Sequence, residues 1–147
     1  LPCEELAAAS GVGNVEEDAM PLVRISLIKG KPPEYIRAIA DGVHRALHEA
    51  YNAPPDDRFQ LIDEYDPGKL IYDPDYFGVH RTDDIVIVNI LAGRWRDTAT
   101  KQAFYKRVVG LLAENPGVAP ANVQIFLSPN DRDDWSFGDG VAHYVKS

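Results

Sequence analysis

Cysteine is nearly missing from this chain: Cys3 is the only one in 147 residues. A lone thiol closes no disulfide framework within the chain and builds no thiolate zinc site, so a reducing, cytoplasmic setting is expected. Long apolar runs are also missing, and no stretch approaches the length a membrane crossing needs, so no membrane association is expected. The chain has no glycine-rich phosphate loop, no serine-hydrolase elbow and no CxxC pair. Basic residues are absent from residues 1–20, where Glu4, Glu5, Glu16, Glu17 and Asp18 supply −5 of the net charge of −8. The remaining −3 belongs to residues 21–147, a nearly balanced body without a basic stripe, so nucleic acid is not an expected partner. The leader lacks the basic start of a secretory signal and the arginines of a mitochondrial presequence. Residues 1–20 therefore read as an acidic leader or unprocessed extension, and residues 21–147 as one domain large enough for a real core.

What is present is a repeat. "PLVRISLI" alternates Val23, Ile25 and Leu27 on one face, which is strand patterning. "KGKPP" breaks it, and residues 34–51 then place Ile36, Ile39, Ala40, Val43, Leu47 and Ala50 on one helical stripe, with Pro32 or Pro33 in the first turn. "NAPPDD" stops that helix and "RFQLIDEY" forms a second strand. After a Gly/Pro/Asp-rich connection the order returns: "IVIVNIL" as a buried strand, a helix capped by Asp97, and "NVQIFLS" as a closing strand. A shift of about 65 residues lays Ile25 on Ile90 and Pro55 on Pro120. The expectation is an α/β (α+β) fold in which two βαβ units form a four-stranded mixed sheet with both helices on one face. The uncovered face of so small a sheet predicts self-association.

Five stretches can carry chemistry. In "EEDAMPLVRISL", Pro21 either opens a strand where no ladder donor is needed, or is a chain terminus with a free secondary amine. In "LAGRWRD", Arg94 and Arg96 would share one side of an extended segment. Their mutual repulsion is relieved either by solvent or by a carboxylate held between two guanidiniums. In "PPDDRFQ", Asp57 follows Asp56 in a helix-to-strand turn, as ordinary turn chemistry or as a carboxylate positioning an amine or water. In "DDWSFGDG", Trp135 and Phe137 either cover a core edge or wall off a charged site. His44 and His48 stand at i, i+4 without a third ligand, so no metal is assigned.

The order "MPLVRISLIKG … DDRFQLIDEYDPGKLIYDPDYFG … RTDDIVIVNILAGRWR … DDWSFGDG" resembles the tautomerase superfamily over essentially all of residues 21–147. Within it the resemblance is strongest to the malonate semialdehyde decarboxylase branch, whose arginine pair "RWR" is similar to. The resemblance implies a catalytic amino-terminal proline at Pro21, exposed when the preceding residues are removed. It implies Asp57 as the acid supporting that proline, Arg94 and Arg96 as catalytic and substrate-binding arginines, and Trp135 and Phe137 as a hydrophobic wall. It further implies a homotrimer, a small carboxylate substrate, no cofactor and no metal. Two activities follow from such a site, decarboxylation of a short 3-oxo acid and keto–enol tautomerisation. A Pro21 that stays bonded to Met20 implies instead a non-catalytic trimeric binding protein.

Overall fold

Alternation in the first strand and three- and four-residue periodicity in the first helix serve one purpose: both aim their apolar side at a common layer. In the computed structural model, which describes residues 21–94 and 96–145, β1 (Leu22–Ile28) buries Val23, Ile25 and Leu27. The helix α1 (Pro33–Ala50) buries Ile39, Ala40, Val43, Ala46 and Leu47. The expected leader, residues 1–20, lies outside the described residues.

The chain continues through β2 (Phe59–Tyr65), β3 (Val86–Gly93), α2 (Thr98–Glu114) and β4 (Val123–Asn130). Pro33 takes the first helical position of α1, where its missing N–H costs nothing. Asp97 caps α2 by accepting from the Thr100 backbone N–H. Asn52, in the left-handed region at φ 58°, ends α1, and the Ala53 N–H turns back to the Leu47 carbonyl.

The four strands run in the order β2-β1-β3-β4, with β1 parallel to β2, β3 parallel to β4 and the central pair antiparallel. The sequence repeat is carried into the register. Leu22 faces Phe59 in the first unit and Val86 faces Val123 in the second, 37 positions apart in both. Displaced by 65 positions, α1 falls on residues 98–115, against Thr98–Glu114 for α2. Arg24 and Asn89, also 65 apart, face each other across β1 and β3, so a local twofold axis passes through that pair.

Both helices cover the side of the sheet presented by Val23, Ile25, Leu27, Val86, Val88 and Ile90. Phe104, Val108 and Leu112 of α2 complete this core. The helices meet where Gly42 leaves room for Leu112, whose Cδ1 lies 2.8 Å from where a Cβ would stand. Leu22, Arg24, Leu91, Phe59, Leu61 and Phe126 belong to the other face, and Phe59, Leu61 and Phe126 stay about half exposed. Among the described residues no helix is long and apolar enough to cross a membrane.

Candidate active site

Topology brings the chemistry-bearing stretches to one end of the sheet. β1 and β2 start there and β3 and β4 finish there. Pro21, buried, immediately precedes the Leu22 pairing with Leu91 and Phe59. Continuing the register puts Arg58 and Ala92 opposite Pro21, so Asp57, in the turn that feeds β2, lies one position beyond and Arg94, at the exit of β3, two positions beyond. The C-terminus of α1 and the N-terminus of α2 reach the same end.

Asp57 is only 7% exposed, and neither carboxylate oxygen has a hydrogen-bond partner among the described residues. Burial, and secondarily the charge of Asp56, push its pKa up to about 6. A carboxylate kept dry and unpaired is costly to charge unless a cation meets it. The turn is clamped from α1: His44 Nε2 donates to the Pro55 carbonyl at 2.6 Å, and His48 Nδ1 to the Ala53 carbonyl at 2.9 Å. A carbonyl only accepts, so each ring nitrogen carries its proton. The i, i+4 histidines that suggested and then failed a metal reading thus hold the backbone that presents Asp57. Helical spacing showed that they share a face, but their acceptors lie beyond the helix and follow no local rule.

The arginines part company. β3 ends at Gly93 and Arg94 occupies a turn, so the alternation expected of an extended segment stops short of the pair. The Arg94 side chain is exposed, and its Nε donates to Asp131 Oδ1 at 2.9 Å. Arg96 is 3% exposed and turns inward. Its Nε donates to the Tyr51 carbonyl at 3.0 Å, Nη1 donates to the Gly93 carbonyl at 3.2 Å, and the guanidinium lies 4.0 Å from the Tyr51 ring centre. Tyr51 is the C-cap residue that follows α1, where unpaired carbonyls and the helix dipole favour a cation. Burial holds the Tyr51 phenol above its ordinary pKa, against the opposing pull of Arg96.

Tyr51 thus fixes Arg96 by its carbonyl and its ring, and Phe104 packs on that ring at 4.8 Å. Substituting Tyr51→Leu keeps most of the volume and removes the cation–π contact. The expected result is a loss of about 1–2 kcal/mol in denaturant unfolding, whereas Tyr51→Phe stays within about 0.5 kcal/mol.

The last strand leads into an aromatic bridge. Trp135 Nε1 donates to Asn130 Oδ1 at 2.9 Å, and its ring stacks on Phe137 with centroids 5.4 Å apart and planes 7° apart. Phe137 also meets Phe59 of β2 at 6.2 Å, His143 at 5.8 Å and Tyr144 at 5.4 Å. Since β4 and β2 are opposite edges of the sheet, a segment joining Asn130 to Phe59 must pass the ends of β3 and β1, where Pro21 sits. Phe59, His143, Tyr144, Tyr51 and Asp131 were not legible as site residues.

One end of the sheet therefore carries a proline at a strand start, a dry acid, two arginines and an aromatic bridge. Two family profiles, each described as "Tautomerase enzyme", match the chain over residues 21–80 and 57–138. The chain is 33% identical over 127 residues to "Probable tautomerase YusQ" of Bacillus subtilis (strain 168), covering 86% of this chain and 100% of that one. Among solved structures, malonate semialdehyde decarboxylase is similar at 30% identity and a TM-score of 0.78, with 84% of this chain and 95% of that chain covered. The FG41 malonate semialdehyde decarboxylase inhibited by 3-bromopropiolate is similar at 38% identity and a TM-score of 0.78, with 84% and 93% covered.

Proposed function

Because this chain belongs to the tautomerase family of enzymes, with a family profile matching residues 57–138 and a relative 33% identical along its whole length, we propose that it decarboxylates malonate semialdehyde or a similar short 3-oxo acid without a cofactor. The observation that carries this reading is the buried, unpartnered carboxylate of Asp57 one register step from Pro21. Among the described residues no cation meets that carboxylate, and an amino-terminal proline supplies one.

In this reading Pro21 is the chain terminus and Asp57 keeps its nitrogen protonated. Arg94 and Arg96 take the substrate carboxylate and turn it out of the plane of the carbonyl. The bond between the carboxyl carbon and the adjacent methylene breaks, its electron pair passes into the enolate, and CO2 leaves. The Pro21 ammonium hydrogen-bonds the enolate oxygen as charge develops there, and protonation of the carbon gives the aldehyde. Trp135 and Phe137 exclude water, which strengthens these interactions and disfavours the charged carboxylate in the ground state. The small-molecule carboxylate is the only partner required besides further copies of the chain. The exposed Phe59, Leu61 and Phe126 on the uncovered sheet face support self-association, which the family resemblance makes a homotrimer, and the single cysteine fits a reducing, cytoplasmic setting.

A second reading is tautomerisation of a phenylenolpyruvate-type substrate, favoured by the description of the Bacillus relative as a probable tautomerase. That chemistry needs a neutral proline as base. The test is the release of CO2 and acetaldehyde from malonate semialdehyde, beside ketonisation of phenylenolpyruvate, by protein beginning at Pro21. Faster decarboxylation supports the first reading and faster ketonisation the second. Arg94→Ala is expected to lower kcat/KM for decarboxylation by about 10- to 100-fold through loss of a charge-assisted contact. An unchanged kcat/KM removes Arg94 from the site.

A further inference from the structure

The partner of Arg94 is unexpected for a residue assigned to receive an anion. Beyond the paired ends of β3 and β4, where Gly93 faces Asn130, the next residues are Arg94 and Asp131, and they form an ion pair at 2.9 Å. Asp131 does not drift there on a free loop. Its side chain accepts from the backbone of Asp134 while its own N–H donates to Asp134 Oδ2 at 2.9 Å, a reciprocal cap on the turn Arg132–Asp134. The carboxylate is thus held in place by the turn that delivers Trp135 to the aromatic cover. Carboxylate oxygens of Asp133 and Asp134 lie within 4.8 Å of it, so the negative charge beside Arg94 exceeds a single counter-ion.

We infer that Asp131 is a specificity-determining residue that keeps the anion site selective for monocarboxylates over dicarboxylates. This rests on the reading above, in which Arg94 receives the substrate carboxylate. A fixed negative charge beside the receiving arginine opposes every incoming anion in proportion to that anion's charge. A monoanion with one carboxylate and an uncharged carbonyl suffers this once. A dianion of the same length suffers it twice, and its second carboxylate also enters against Trp135 and Phe137, where desolvation is costly. Both partners of the pair are exposed, so the contact yields to a substrate at little cost. Selectivity therefore comes from repulsion of the wrong ligand and needs no added contact to the right one.

The test uses propionate and malonate, three-carbon mono- and dianions at pH 8, titrated into the full chain and into protein beginning at Pro21. NMR chemical shifts read their dissociation constants whether or not turnover occurs. Asp131→Asn keeps a good capping residue. It is expected to tighten propionate about threefold and malonate about tenfold, both gains shrinking in 0.5 M salt. Asp133→Asn, which removes the same charge without touching Arg94, is expected to give less than half of that change in binding free energy. Equal gains for the two anions, weaker binding of both, or an Asp133→Asn effect matching that of Asp131→Asn overturns the assignment of Asp131 and leaves the decarboxylase reading standing. Failure of both anions to bind any form removes the anion site itself, and with it both this assignment and the decarboxylase reading.

Discussion

Protein whose chain begins at Pro21 is expected to turn over a short 3-oxo acid at least about a thousandfold faster than the same protein with Met20 still attached. The reason lies in one bond. A proline nitrogen inside the chain is a tertiary amide, with its lone pair delocalised into the carbonyl and no hydrogen to donate. At a terminus it is a secondary amine that is protonated near neutrality and beyond. The pairing of Leu22 with Phe59 and Leu91 and the contacts of the two arginines make no use of the Pro21 nitrogen, so they are expected in either form. The comparison therefore isolates the ammonium. Steady-state assays of the two forms, each with its intact mass measured, decide it. Equal rates in the two forms would remove Pro21 from the chemistry.

The second large effect concerns Asp57 and changes sign with the same bond. With Met20 attached, the dry carboxylate ionises near pH 6 in the folded chain and near 3.8 in the unfolded one. A raised folded pKa means that its favourable contribution is fully present below 3.8 and is lost as pH rises through about 6. The span corresponds to about 3 kcal/mol at most. Asp57→Asn removes the charge but leaves a buried amide, so the expected gain at pH 8 is about 2 kcal/mol, vanishing near pH 4. In protein beginning at Pro21 the carboxylate meets an ammonium, and the same substitution is expected to destabilise by about 1–3 kcal/mol and to lower kcat about 100-fold. Urea unfolding of both forms at pH 4 and 8 measures it. A substitution that acts alike in the two forms would separate Asp57 from Pro21.

The Asp57 case shows where patterns in the chain stop being informative. "PPDDRFQ" identified a turn with two carboxylates, but a turn aspartate and a buried one are spelled alike. The turn that carries Asp57 is held from α1 by His44 and His48, across contacts no local pattern announces. The arginines make the same point in reverse. Their spacing in "RWR" suggested a pair in one setting, yet Arg96 meets Tyr51 and Arg94 meets Asp131, partners 45 and 37 positions away in the chain.

By itself the sequence determined the elements, their order and the 65-residue repeat that relates the two units. Hydrophobic period and caps are local, and a 65-residue repetition of local signals can only build the same βαβ unit twice. Tertiary structure alone decided which end of the sheet collects Pro21, Asp57 and the arginines, which of the two guanidiniums is buried, and which acid meets the other. Those outcomes depend on side chains brought together across strands and helix ends. Burial and charge pairing between residues remote in the chain leave no periodic trace in its letters.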